Sequence, residues 1–372
     1  MPRYAQFLGN ILSEKKHNVT YLTARPVFYK LPIPSFLKKW MGYIDQYVVF
    51  PISVKKKIKN YPDDTLFVFA DHALGPWVPL ASHRKHIIHC HDFLAQRSAL
   101  DEIPENITSW TGKKYQSYIR RGYQKGKNFI SISKKTQTDL HRFLLRKPDL
   151  SSVVYNCLNR QFTAIDVNEA RLFIQSETKV DTSSGYILHV GGNQWYKNRK
   201  GVIEIYEAWR DISEISLPLI LVGETPDMSL LEKKSQSRYS KDIYVVTDAN
   251  DYFVDMAYSG ASVFLFPSLE EGFGWPIIEA MNFGCPVITT GEPPMSEVGG
   301  DAAFYIDKRP QGNNEQINIW ARKSAEVLNS VLDTCVEDKS LVMKKGYDNL
   351  KRFDAKKIAD EIELIYKQVI MA

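Results

Sequence analysis

The chain is poor in cysteine: 372 residues carry only four, Cys90, Cys157, Cys285 and Cys335. They are scattered, without the close pairs of a metal site and without the spacing of a disulfide framework. That argues against a zinc module or a small disulfide-stapled domain, and a reducing cytoplasm is the expected setting. No apolar run is long enough to span a bilayer, and no signal peptide is recognisable. Asp-x-Asp pairs, internal repeats and low-complexity tracts are absent as well. A formal net charge of +5 is too small to argue for nucleic-acid binding, though it suits an anionic substrate or an acidic membrane surface. What remains is a globular composition, 44% hydrophobic and 24% charged, with length for two domains that each bury a core.

The most informative stretch runs from Val263 to Thr290, VFLFPSLEEGFGWPIIEAMNFGCPVITT. Val263 to Phe266 is a short apolar run, as expected of a strand buried on both faces. Pro267 ends it, and Gly272 and Gly274 give the following loop backbone freedom that other residues lack. Pro276 suits the first turn of a helix, whose apolar face holds Ile277, Ile278, Ala280 and Met281. Gly284 can cap that helix, Pro286 stops it, and Val287 to Thr290 starts another strand. This is a strand, loop, helix, strand unit of a parallel sheet, a type that binds ligands beyond the C-terminal ends of its strands.

Glu271 lies in the loop, and Glu279 follows eight residues later, about one turn into the helix. Free N–H groups and the positive dipole end at the helix start favour an anion, whereas the two carboxylates suit sugar and ribose hydroxyls. A phosphate with hydroxyls on each side is the outline of a nucleotide sugar. A plainer alternative is a tight turn whose glutamates face water.

EGFGWPIIEAMNFGCPVI closely resembles the Glu-x7-Glu signature of retaining glycosyltransferases of family 4, in the GT-B superfamily. The resemblance extends over the second domain. It implies an α/β GT-B fold, two Rossmann-like domains facing a cleft, with the donor on the second and the acceptor on the first. By position it gives Glu271 a contact to the donor sugar and Glu279 one to the ribose, with Gly272, Phe273 and Gly274 in the loop between them. Tyr186 to Val190 reads as a strand ending in Gly191-Gly192-Asn193, followed by a basic loop to Lys200 and a helix from Gly201. The family places an arginine and a lysine here on the donor diphosphate. Lys197 fits the lysine best and Lys200 is the second candidate. Gly192 stands where the arginine is expected, so that contact is missing unless Arg199 supplies it. A solvated basic loop is the alternative. Leu219 to Val222 and Tyr244 to Val246 read as strands, and the family holds the base near Val246. No metal or other cofactor is implied, since lysine and a helix end would serve the diphosphate.

In the first half, Leu66 to Ala70 and Asn128 to Ser133 read as strands, Ile87 and Ile88 open another that ends in His89, Cys90, His91 and Asp92, and Val19 to Leu22 reads as a fourth. His91-Asp92 resembles the family's His-Asp pair, in which the histidine approaches the donor sugar. A metal shared by His86, His89 and His91 is disfavoured, because His86 takes the opposite strand face; for His72, local hydrogen bonding is expected. The chain opens with a helix, Pro2 to Glu14, where the family begins with a strand and a glycine-rich loop. The first domain is thus expected to lack its first strand, either lost or lying upstream of the given start. Leu31 to Tyr61 carries Phe36, Trp40, Ile44, Tyr47 and Val48 near helical spacing, with Lys38, Lys39, Lys55, Lys56, Lys57 and Lys59. That suits either an interfacial helix on anionic lipid or an ordinary packed helix with solvated lysines.

The expected organisation is an acceptor-side domain over 1–162, a nucleotide-sugar domain over 163–350 and a helix over 351–372 crossing back to the first. The turn Asn156-Cys157-Leu158-Asn159 resembles the family's Asn-Gly-Val crossing, with Cys157 in place of glycine. The expected function is retaining transfer from a nucleotide-diphosphate sugar to a glycan or lipid-linked acceptor, in the cytoplasm or at the inner face of the membrane. A non-catalytic nucleotide-sugar-binding protein is the alternative. Nucleic acid is not an expected partner.

Overall fold

The computed structural model describes residues 2–158, 165–333 and 336–372. Cys335, Asn159 and the expected domain boundary at 162/163 lie outside them. The chain divides into two compact units, Met1–Ile132 with Thr136–Tyr155 and Lys356–Ala372, and Ser133–Lys135 with Asn156–Ala355.

The first unit holds a parallel sheet of β1 (Phe67–Phe69), β2 (His86–Cys90), β3 (Asn128–Ser131) and β4 (Leu150–Val153), in that order. Every residue of β2 is buried, its two histidines as well as Ile87, Ile88 and Cys90. On one face Val78, Ile88, Phe93 and Tyr123 form a core with Ile119, which comes from α4 (Trp110–Tyr123). Earlier in the chain lie α1 (Pro2–Glu14), α2 (Ser35–Ile44) and α3 (Phe50–Ile58). A π-helical turn, Asp45–Val49, joins the last two. Val54 and Ile58 of α3 pack against Phe67 and Ala81, so this end of the segment is ordinary core. By contrast α2 has no buried residue.

Residues Val19 to Leu22 form no strand. Their β-branched and aromatic side chains suit one, but the stretch pairs with no neighbouring strand, and without a ladder it takes no regular secondary structure. The C-terminal helix α8 (Ala355–Met371) belongs to the first unit through Lys356–Ala372 and buries Ile358, Ile362, Ile365 and Val369. His89 lies between the termini: Tyr4 Oη is 2.9 Å from its Nδ1 and Tyr366 Oη 2.6 Å from its Nε2. Burial, with His91 acting in the same sense, pushes the His89 pKa down to about 3. Lys15 and His17 pair with Glu363 at 2.8 and 2.9 Å, adding a polar seam between the N-terminal region and α8.

The second unit has six parallel strands, β5 (Ile187–Val190), β6 (Leu219–Val222), β7 (Ile243–Val246), β8 (Val263–Phe266), β9 (Val287–Thr290) and β10 (Ala303–Ile306). They are ordered β10-β9-β8-β5-β6-β7. Counted within the unit this is the doubly wound order of dinucleotide-binding sheets, and the order reverses between β5 and β8. Ile187 pairs with Val263 and Leu188 with Phe264 at that junction. One face packs on α5 (Arg199–Arg210), with Ile203, Tyr206 and Trp209 wholly buried beside Leu219, Leu221 and Leu265. Two further helices, α6 (Asp251–Gly260) and α7 (Trp275–Asn282), complete the surroundings of β8.

Candidate functional site

The sheet order reverses between β5 and β8, the position where such sheets bind ligands, and the loops leaving both strands are tied together there. After Val190 the chain turns through Gly191, Gly192 and Asn193 into a short helical turn, Trp195–Lys197. Asn198 then caps α5, its Oδ1 accepting from Gly201 N at 3.2 Å while its Nδ2 donates to Pro267 O at 2.9 Å. Leu269 N also donates to Tyr196 O at 2.8 Å. Gly223 lets β6 leave beneath this loop, since a Cβ there would sit 2.0 Å from Gly191 O.

The two loops meet at Lys197 and Glu271. Lys197 Nζ donates to Glu271 Oε1 at 2.7 Å, and both side chains are largely buried. Ser268 Oγ donates to the same oxygen at 3.0 Å. The ammonium also lies over the rings of Phe266 and Tyr196, at 5.0 and 5.4 Å. Gly274, at φ 104°, turns the chain into α7 in a conformation that favours glycine, with Pro276 in the first turn. Glu279 is half-buried on the next turn, and Tyr258 of α6 donates to its Oε2 at 3.4 Å.

The other residues singled out from the sequence fall in different places. Arg199 is buried, its Nη1 donating to Asn193 Oδ1 at 2.6 Å and to Glu224 O at 3.1 Å. Gly192 has the Glu224 carboxylate and the Gln194 amide beside it, where a longer side chain would begin. Asn193 N donates to Glu224 Oε2 at 3.0 Å. Lys200 is exposed and is not brought to Glu271. Val246 ends the edge strand β7, two strands from β5, its carbonyl accepting from Gly223 N. Gly272 sits in the loop, while Phe273 turns inward and packs on Trp275 and Phe353. His91, in the first unit, donates from Nε2 to Ala70 O at 2.8 Å and meets the Tyr4 ring edge-on; burial lowers its pKa. His86 instead bonds Arg84 O and Lys127 N, and among the described residues no three-ligand metal cluster exists. His72 lies 3.0 Å from Asp71 and packs on Phe93.

Sequence reasoning missed Ser268, Tyr258 and a third contact, Lys308 to Glu270 at 3.0 Å, which braces the glycine loop from the segment after β10. It also missed His189, wholly buried under the Gly191 turn with Nδ1 donating to Leu265 O at 2.9 Å. Burial pushes its pKa down to about 3, against the bond to Leu265, and the nearby Arg199 and Lys197 act in the same direction as burial. An asparagine placed directly before a helix, as Asn198 is, carries the signature of a cap. Nothing in the sequence marked Tyr258.

An acid and a cation thus meet at the switch point of a doubly wound sheet, with a second acid one helical turn on. Residues 184–319 match the family described as Glycosyl transferases group 1. The chain is similar to O-antigen chain mannosyltransferase B of Escherichia coli, 31% identical over 128 residues, 33% of this chain and 33% of the relative. It is also similar to O-antigen chain mannosyltransferase RfbU of Salmonella typhimurium, 24% identical over 240 residues, 64% of this chain and 61% of the relative. The chain therefore matches about a third and about three fifths of these two proteins' lengths. In fold it is similar to sucrose-phosphate synthase of Thermosynechococcus elongatus, TM-score 0.69 and 16% identity, over 99% of this chain and 93% of that one. Anabaena HepE in complex with UDP and glucose gives TM-score 0.63 and 16% identity, over 88% and 83%. These structures support the GT-B fold of two parallel-sheet α/β domains.

Proposed function

We propose that this protein is a retaining glycosyltransferase that moves a sugar from a nucleotide-diphosphate sugar to a glycan or lipid-linked acceptor. The observation that carries the reading is the Lys197–Glu271 pair across the β5/β8 switch point. It sets a cation for a diphosphate beside a carboxylate for a sugar hydroxyl. In this reading Glu279, one turn into α7, takes a ribose hydroxyl of the same ligand.

In this reading the bond from the anomeric carbon to the diphosphate oxygen breaks, and negative charge builds on that oxygen. Lys197 and the N-terminal ends of α5 and α7 stabilise it. The acceptor hydroxyl attacks from the face the diphosphate leaves, and its proton passes to the departing phosphate oxygen. No enzyme nucleophile is needed. Cationic side chains and helix ends provide the neutralisation for which other sites use a metal, so we propose a metal-independent reaction. The mannosyl names of the relatives favour a mannosyl group, and the UDP in the HepE crystal favours a nucleoside-diphosphate donor. A part for His91 at the donor sugar rests on the resemblance alone.

The test is release of nucleoside diphosphate from a panel of nucleotide sugars by the purified full chain, with and without glycan acceptors. Product anomers are read by NMR. Transfer with retained configuration, lost in Glu271→Gln, is the expected result. Tight nucleotide-sugar binding without release would instead make the protein a non-catalytic binder.

A further inference from the structure

The basicity of this chain is concentrated in one segment. Between Tyr21 and Tyr61 there are eight lysines and arginines and one acid, Asp45, an excess larger than the +5 of the whole chain. That single acid is turned inward: Asp45 is buried and its carboxylate accepts from the backbone N–H groups of Val27, Phe28 and Tyr29 at 2.9 to 3.0 Å. The surface of the segment is therefore cationic without relief.

The same surface is apolar. Phe36 and Trp40 are 73% and 61% exposed, and Tyr43, Val48 and Ile52 are also exposed. Phe36, Trp40, Tyr43 and Tyr47 follow one another at intervals of four, three and four, a single stripe on the helix. The segment is anchored in the core on either side of α2, through Leu22 before it and Val54 and Ile58 of α3 after it, whereas α2 itself has no buried residue and is held out as a presented face. A second exposed group joins it: Tyr47 Oη is 2.8 Å from Tyr115 Oη, and Trp110 of the same helix α4 carries Lys114 over its ring at 5.5 Å. Between Tyr29 and Tyr43 lies a recess of about 320 Å³ bordered by Arg25, Lys38 and Lys39.

Solvated lysines alone would not need exposed tryptophan and phenylalanine among them, and a neutral partner would not need the charge. Amphipathic rings interleaved with cations match the boundary layer of an anionic bilayer, where rings sit at headgroup depth and ammonium groups meet phosphate. We propose that this face docks on an anionic phospholipid surface. Phe36 and Trp40 enter the interfacial layer, and the recess at Arg25, Lys38 and Lys39 takes a lipid phosphate. The inference stands on the first unit alone and does not depend on the transfer reaction.

The test uses the full chain and vesicles of phosphatidylglycerol with phosphatidylcholine, or of phosphatidylcholine alone, with no sugar donor present. Flotation should show binding to the anionic vesicles, at least tenfold weaker on the neutral ones and falling with salt. Phe36→Ser with Trp40→Ser should lower binding at least tenfold with an unchanged circular dichroism spectrum, since both side chains are exposed. Lys38→Ala and Lys39→Ala should each lower it roughly fivefold, the worth of one lysine at such a surface. Brominated lipid should quench tryptophan emission in the parent and less in Trp40→Phe. Equal binding to both vesicle types, or undiminished binding in the Phe36/Trp40 variant, would overturn the proposal. So would complete displacement by millimolar glycerol phosphate, which would make the recess a site for small soluble anions. A solution dimer that the double serine variant dissolves, with no vesicle binding by the parent, would give the face to a second copy of the chain and overturn the proposal too.

Discussion

Lys197 Nζ lies 2.7 Å from Glu271 Oε1, and the two come from loops that leave the adjacent strands at which the sheet order reverses. Each therefore stands in the charge field of the other before a ligand arrives. In the proposed reading, a diphosphate bound here would compete with Glu271 for Lys197. Glu271→Gln should consequently leave nucleoside-diphosphate affinity undiminished while lowering turnover by about a hundredfold, the scale for losing one group that acts in the transition state. Calorimetry beside a turnover assay checks this; a Gln variant with normal turnover contradicts it.

Glu279 should fail differently. Glu279→Gln keeps the shape and one acceptor but removes charge, so free nucleotide and nucleotide sugar should both bind more weakly. Tyr258 donates to this carboxylate from α6 and is itself wholly buried. Tyr258→Phe should reproduce the effect in smaller measure, about 0.5–1.5 kcal/mol, the net worth of one hydrogen bond. Nucleotide titration of both variants gives the comparison, and a Tyr258→Phe loss exceeding that of Glu279→Gln would reverse the ordering.

The strand, turn and helix from Val263 to Asn282 were legible because each boundary has a local cause: an apolar run, a proline in the first helical turn, glycines at both ends of the helix. Val19 to Leu22 was misread because strand propensity is local while a ladder is not. The pairing of Lys197 with Glu271 joins positions 74 apart, and the brace from Tyr258 to Glu279 joins neighbouring helices 21 apart. The resemblance supplied candidates at three of those four positions, and none of the contacts. The fate of Arg199 shows the same limit. Its charge was visible, whereas its burial against Asn193 and Glu224 follows only from the loop geometry.

Glu270 is 8% exposed and receives Lys308 Nζ at 3.0 Å. Lys308→Ala takes away that cation and should lower unfolding stability by about 1–3 kcal/mol, the usual cost of disturbing a buried polar partner. Lys308→Arg should restore most of it. Urea denaturation of the three proteins gives the measurement, and an alanine variant as stable as the parent would show that the brace contributes nothing.

The seam around Glu363 should respond to acid. Hydrogen bonds from Lys15, Lys367 and His17 hold its carboxyl down at about 2, against an ordinary 4.5. A depressed carboxylate stabilises the fold fully above the unfolded value, so its contribution is complete above about pH 4.5 and is lost as the pH falls towards 2. Melting temperatures of the parent and Glu363→Gln should therefore differ at pH 7 and converge at low pH. The gap should also shrink with salt, because the partners His17 and Lys367 reach solvent. A difference independent of pH would contradict the linkage.

The most direct measurement of a nucleotide-sugar site at this switch point is calorimetric titration of one nucleoside diphosphate and its parent nucleoside into the wild-type chain, Lys197→Ala and Lys200→Ala. Lys197→Ala should cost about 1.5–3 kcal/mol for the diphosphate and almost nothing for the nucleoside, the range for a hydrogen bond to a charged group. The exposed Lys200 should behave as wild type. Equal losses for both ligands in Lys197→Ala, or a selective loss in Lys200→Ala instead, would contradict the assignment, as would a panel of nucleoside diphosphates none of which binds the wild-type chain.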